Sequence, residues 1–299
     1  MEDQAAGSAR DAHSLPMCYR HPDRETGVRC TRCERPICPE CMVSASVGFQ
    51  CPECVRGTTG GQSGPPLADT RPRTIAGGTV TADPRLLTKI LIGINIAVFL
   101  VQLSVGDSFT NRFELIGQAW FPQYGDIEGV AQGQYYRLLT AMFLHDSSNP
   151  MHIAFNMLSL WWIGGPLETA LGRARYITLY VVSGLAGSAF TYLLAAQNQP
   201  SLGASGAIFG LFGATAVLIR RLNYDMRPII ALLVINLIFT FSGGIAWQAH
   251  IGGLIAGVVT GYAMVHAPRE RRNLIQYGTC ALVLVVALVL TVVRTAQLT

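Results

Sequence analysis

Ser205, in Gly203-Ala204-Ser205-Gly206, and His250, in Trp247-Gln248-Ala249-His250, stand near the starts of two apolar runs. A hydroxyl and an imidazole are a nucleophile and its base, and polar side chains are costly in hydrocarbon, so such a pair marks a functional site by default. His152 and Asn156 lie four residues apart near the start of a third run, on one helix face. Both can donate hydrogen bonds, which is what a developing oxyanion needs. Each residue also has a plainer role. The serine could bond back to its own helix, and the histidine and asparagine could join helices. What favours a site is that the four polar groups would sit at similar depth on three separate segments.

Apolar segments must position them. Runs at about 86–105, 151–170, 176–196, 205–222, 228–243, 247–266 and 275–293 approach the length of about 20 residues that spans hydrocarbon. Gly206 and Gly210 follow Ser205, and Gly253, Gly257 and Gly261 follow His250. Small residues four apart make a smooth face, so these two helices could approach closely enough to join hydroxyl to imidazole. No Asp or Glu falls in the outer half of these runs, and Glu168 is too near the inner end to orient His250. A dyad without a carboxylate is expected, so ring packing must position the imidazole; Phe209, one turn beyond Ser205, could supply that face and could equally be ordinary core.

With 50% hydrophobic and 13% charged residues and a mean hydropathy of +0.35, the chain reads as a multi-spanning membrane protein rather than a soluble domain. Its net charge of +4 includes no basic run suited to nucleic acid, so none is expected as a partner. With the N-terminus inside, Arg85, Lys89, Arg173, Arg175, Arg220, Arg221, Arg227, Arg269, Arg271 and Arg272 face inward. Only Arg112, Arg137 and Arg294 face outward. The bias predicts a cytoplasmic N-terminus in a bacterial plasma membrane, with the polar groups opening to the outer side. No signal-like stretch precedes residue 86.

Seven of the eight cysteines lie between positions 18 and 54, as Cys18-x2-His21, Cys30-x2-Cys33, Cys38-x2-Cys41 and Cys51-x2-Cys54. Four two-residue-gapped pairs supply ligands for two tetrahedral structural zinc ions, which replace the core that so short a module lacks. A disulfide framework fits less well, because seven is odd and His21 completes the pattern. The spacing leaves the pairing open, though the four residues between Cys33 and Cys38 suit an interleaved arrangement over a sequential one. The module resembles a B-box-type zinc finger. Residues 15–56 are assigned to it, residues 57–83, rich in Gly, Pro, Thr and Ser, to a flexible linker, and residues 84–294 to the membrane domain.

His152-x3-Asn156, Gly203-x-Ser205-Gly206 and His250-x2-Gly253, in this order, resemble the rhomboid intramembrane serine proteases over about residues 85–293. The resemblance implies an all-α polytopic membrane fold, with a six-helix core, a seventh C-terminal helix and here a small cytosolic zinc-binding module. It implies that Ser205 is the nucleophile and His250 the general base, with His152, Asn156 and the Ser205 amide forming the oxyanion hole. Substrates would be transmembrane segments with small, helix-breaking residues. Tyr136-Arg137 occupies the place of the family's Trp-Arg pair, and Gly164-Gly165-x2-Glu168 matches a further structural motif. Tyr136 for tryptophan, and Phe209 for a tyrosine that often stacks on the histidine, are departures that keep an aromatic ring.

Two other readings are a catalytically silent relative that binds membrane proteins and a transporter. Silent relatives usually lose the serine or the histidine, and transporters favour intramembrane carboxylates. The loop at 106–148, with Trp120, Phe121, Tyr135 and Tyr136, is expected to be partly embedded at the interface. The Ser242-Gly243-Gly244 connection is expected to cap the site. A protein partner for the zinc module completes the set of expected partners, beside membrane-protein substrates and the bilayer.

Overall fold

A computed structural model describes residues 15–45, 47–56, 73–242 and 247–299, and the chain divides into two compact units, Met1–Thr70 and Arg71–Thr299. The expected cap at Gly243-Gly244 lies outside the described residues.

The described residues of the first unit form little regular structure. Strands β1 (Val43–Ser44) and β2 (Phe49–Gln50) form an antiparallel hairpin that turns through Gly48 at φ +67°, and α1 (Pro52–Arg56) follows. Its buried interior is Cys18, Cys30, Cys38, Cys41, Cys51 and Cys54 with Ile37, so sulfur stands where aliphatic side chains would form a core.

The second unit is helical. It comprises α2 (Leu86–Val105), α3 (Asp107–Phe113), strands β3 (Ala119–Phe121) and β4 (Asp126–Glu128), α4 (Arg137–Thr140), α5 (Pro150–Ser159), α6 (Gly165–Leu171), α7 (Arg173–Leu194), α8 (Ser205–Arg221), α9 (Arg227–Ser242), α10 (Trp247–His266) and α11 (Arg272–Leu298). The apolar runs read from the sequence are these helices. A π-helical turn at Leu160–Gly164 joins α5 to α6 as one continuous rod. Among the described residues, Leu86–Val105, Arg173–Leu194, Trp247–His266 and Arg269–Leu298 are each long and apolar enough to cross a membrane. Their outward faces carry exposed Ile, Leu and Val, as a lipid-facing surface requires.

Local chemistry sets the breaks. Gly106 (φ +82°) ends α2, and Gly172 (φ +82°) reverses the chain between α6 and α7. The first turn of α2 is capped by Glu168 of α6. Its carboxylate accepts from the amides of Leu87 at 3.0 Å and Thr88 at 2.9 Å and from the Thr88 hydroxyl at 2.9 Å. Orphan amides at a helix start need such an acceptor. The motif Gly164-Gly165-x2-Glu168 is thereby explained, since a Cβ on Gly164 would lie 3.1 Å from Thr88 and one on Gly165 2.9 Å from Arg85.

The linker expected over 57–83 needs correction at its C-terminal end. The amide of Ala76 donates to Ala170 O and Gln276 Nε2 donates to Ala76 O at 3.1 Å, with Ala76 fully buried. Residues 73–83 pack on the helical unit because Ala76, Gly77 and Gly78 are small enough to lie against the α6–α7 turn and Arg272. Their Gly-rich composition serves close packing rather than freedom. The remainder of the expected linker, through residue 72, lies outside the described residues.

Candidate active site

Three helix starts converge on the candidate residues. Ser205 opens α8, where the first amide to bond back is Ile208, to Ala204 O at 3.0 Å. The amides of Ser205, Gly206 and Ala207 precede that bond and lie at the positive end of the helix dipole. The segment before them is fixed, because Ser201 and Leu115 exchange both backbone bonds and Gly203 N–H donates to Ala141 O. Gly203 has φ +133° and lies against His152, so a side chain there would meet both strain and the imidazole.

The glycine faces of α8 and α10 mesh as their spacing predicted. A Cβ on Gly253 would collide with Gly206 O, one on Gly257 with Gly210 O, and one on Gly261 would lie 2.7 Å from the Ala214 backbone. Backbone touches backbone over two turns, and this close approach brings Ser205 Oγ to 2.7 Å from His250 Nε2. The Phe209 ring stacks on His250 with centroids 4.2 Å apart and an interplanar angle of 5°. Both rings are almost fully buried, so stacking constrains the imidazole plane.

His152 and Asn156 are on one face of α5, and both line a cavity of about 920 Å³ together with Ser205 and His250. Asn156 Nδ2 donates to His152 O at 2.8 Å, which commits one of its two amide hydrogens and leaves the second for the cavity. His152 Nδ1 accepts the Asp146 amide at 3.1 Å. A backbone N–H can only donate, so Nδ1 is unprotonated and Nε2 carries the hydrogen. That nitrogen faces Gly203, two residues before Ser205. Sequence reasoning missed the Asp146 amide, and any residue type would have supplied it. The structure thus brings together all four residues on which the sequence reading rested. Glu168 stays at the far end of α6, on the start of α2.

The loop before α5 is held by Arg137, which is fully buried. Its guanidinium donates to Asn111 O, Glu114 O and Gln134 Oε1 and pairs with Glu128 at 3.0 Å. Glu114, buried on the cavity wall, makes no hydrogen bond through its carboxylate among the described residues. Burial pushes its pKa up to about 7, against the pull of Arg137.

In the first unit two groups could each hold a metal ion: Cys18, His21, Cys38 and Cys41, and Cys30, Cys33, Cys51 and Cys54. This is the interleaved grouping. Thiolates about 2.3 Å from one tetrahedral ion stand about 3.8 Å apart. The Cys33 and Cys51 sulfurs are 3.7 Å apart, and His21 Nδ1 lies 3.3, 3.5 and 3.9 Å from the sulfurs of Cys38, Cys41 and Cys18. Arg35 Nε donates to Cys33 Sγ at 3.3 Å and the Cys51 amide to Cys30 Sγ at 3.2 Å, contacts that favour thiolate.

The helices are those of a membrane protein, and they place a serine–histidine pair at the starts of two glycine-meshed helices. Residues 132–267 match the rhomboid domain. The chain is 35% identical over 185 residues to the rhomboid protease GluP of Bacillus subtilis (strain 168), covering 59% of this chain and 34% of that protein. It is 33% identical over 219 residues to RHOMBOID-like protein 7 of Arabidopsis thaliana, covering 67% of each, and 29% identical over 218 residues to the rhomboid protease AarA of Providencia stuartii, covering 62% of this chain and 75% of that one. It spans about a third of the length of GluP. The chain belongs to the rhomboid family, and it is an integral membrane protein of a protease family.

Proposed function

We propose that this protein is an intramembrane serine endopeptidase that cuts transmembrane segments of other membrane proteins near the outer face of the membrane. The observation that carries the reading is the 2.7 Å contact of Ser205 Oγ with His250 Nε2 at the floor of a cavity lined by two hydrogen-bond donors. Ser205 Oγ attacks the scissile carbonyl carbon while His250 Nε2 accepts its proton. The oxyanion takes hydrogen bonds from the Ser205 amide, His152 Nε2 and Asn156 Nδ2. The tetrahedral intermediate collapses as the imidazolium returns the proton to the leaving amine, and a water activated by His250 then hydrolyses the acyl-enzyme. The Phe209 stack orients His250 in place of a carboxylate. Preserved serine and histidine in contact argue against a silent relative.

The basic residues at the inner ends of the helices support a cytoplasmic N-terminus, and the site then opens outward. A helical substrate must unwind locally to present its carbonyl, so small and helix-breaking residues near the bond assist cleavage. The first unit is a B-box-like finger that holds two zinc ions in the interleaved arrangement. These ions would supply folding energy to residues 15–56 and take no part in catalysis. Such a module recruits or regulates through a protein partner.

The test is cleavage of a model transmembrane substrate by purified wild type, Ser205→Ala and His250→Ala, with labelling by a fluorophosphonate probe. Wild type should cleave and label, and neither variant should do either. Full activity in Ser205→Ala refutes the mechanism, and a wild type that folds, binds substrate and never cleaves identifies the silent relative.

A further inference from the structure

Gln102 lies on the last turn of α2, far from the candidate residues in sequence, and only 1% of its surface is exposed. It does not line the cavity. Its amide group holds the backbone of one residue, His145, on both sides. Oε1 accepts the His145 amide at 2.9 Å and Nε2 donates to His145 O at 2.9 Å, with a further bond to Thr110 Oγ1 at 3.0 Å. Because a backbone N–H only donates and a carbonyl only accepts, this geometry fixes the orientation of the side-chain amide.

The next amide in the chain is that of Asp146, which donates to His152 Nδ1. The His145 carbonyl shares a peptide plane with that N–H, so the bond from Gln102 Nε2 to His145 O aims it. The His145 side chain is fully buried and packs between Phe99 and His152, with its ring centroid 5.2 Å from that of His152. The Asp146 carboxylate is turned away and accepts from the Ser148 amide and hydroxyl. Gln102 is thus the hydrogen-bonding side chain that places this stretch of loop against the imidazole.

We propose that Gln102 is a positioning residue for the oxyanion hole: by clamping the His145 peptide it sets the Asp146 amide on His152 Nδ1, and so holds His152 in the tautomer whose Nε2–H points to the reacting carbonyl. The inference rests on the proposed protease reading and deepens it. If the clamp fails, the imidazole loses its only fixed acceptor duty at Nδ1, and rotation or tautomer exchange removes a preorganised donor. Loss of one such donor costs about 100- to 1,000-fold in turnover. A misdirected donor should cost part of that, about 10- to 100-fold, in kcat rather than KM.

The experiment is a double-mutant cycle in the full-length protein, with Gln102→Leu, His152→Ala and the pair, and with Gln102→Leu and Asn156→Ala as the comparison cycle. Gln102→Leu should lower kcat about 10- to 100-fold in the wild-type background and add less than about twofold on top of His152→Ala. On top of Asn156→Ala its loss should multiply in full. Gln102→Glu keeps the acceptor for the His145 amide but loses the donor to His145 O that holds the Asp146 peptide plane, so it should not restore the rate.

Equal losses with and without His152, or an unchanged kcat in Gln102→Leu, overturn the proposal. A second measurement does not depend on turnover. In ¹⁵N-histidine spectra of the Ser205→Ala protein, the His152 signal, assigned by its absence in His152→Ala, should show an unprotonated Nδ1 that changes in the Gln102→Leu background. An unaltered signal also overturns the proposal. Cleavage that persists in Ser205→Ala would instead defeat the protease reading, while the spectra would still decide the role of Gln102.

Discussion

Substituting Gly257 with alanine tests the central geometric claim, that backbone contact between α8 and α10 sets the Ser205–His250 distance. Gly257 sits two helical turns from His250 and touches neither it nor Ser205. A Cβ there would collide with Gly210 O and stand about 2.5 Å from the Gly210 carbonyl carbon. Ordinary contact begins near 3.4 Å, so the helices must part by roughly 1 Å, because both colliding groups are backbone and neither can rotate away. Overpacking of this kind costs about 1–3 kcal/mol of stability.

The effect on turnover should be larger in proportion. A displacement of about 1 Å between nucleophile and base costs on the order of 100-fold. The hydroxyl and imidazole now at 2.7 Å would move beyond hydrogen-bond range. Cleavage of a model substrate in detergent should therefore fall about 100-fold in Gly257→Ala, with a lowered melting temperature and no change in zinc content. Gly278→Ala on α11 is the control, since a Cβ there meets nothing within 4 Å. It should keep full activity and gain about 0.5–1 kcal/mol in helix propensity. If Gly257→Ala retains more than a third of wild-type turnover, the helix contact does not set the catalytic distance.

Asn156→Ala should lower kcat by about 10- to 1,000-fold with little effect on KM, as removal of one oxyanion donor does; an unchanged rate assigns Asn156 to helix packing. Metal analysis should give about two zinc per chain. Cys18→Ser with Cys38→Ser should remove one ion, and Cys18→Ser with Cys30→Ser both; the reverse outcome means sequential pairing. Deletion of residues 1–70 should remove all zinc and leave a folded, active enzyme, whereas deletion of residues 1–80 should also lower the melting temperature, because it takes the Ala76 contacts to Ala170 and Gln276. Equal melting temperatures for the two deletions would remove that segment's structural role. Product termini mapped by mass spectrometry should cluster at the outer end of the substrate's span, and clustering at the cytoplasmic end would refute the proposed orientation.

Much of this protein is written in local pattern. Apolar runs near membrane-spanning length give the helices, because hydrocarbon forces every backbone group in a segment to bond within it. Small residues at intervals of four state which faces of α8 and α10 can meet, and Cys and His in two-residue-gapped pairs point to metal chemistry through spacing alone. Ser205, His250, His152 and Asn156 could be named because polar side chains at helix starts in so apolar a chain have few other reasons to be there. The tertiary structure decided what spacing cannot carry. It brought the Cys and His side chains together in the interleaved grouping, since chain order allows either. It placed Ala76 and its neighbours on the helical unit, because small residues suit a tight contact as well as a loose tether. It set Glu168 on the amides of α2 and the clamp of Gln102 on the His145 peptide, contacts of 80 and 43 residues' separation. Those last two act mainly on backbone amides and carbonyls, which carry no side-chain signature, so the sequence could mark Glu168 as part of a motif but not name its partner.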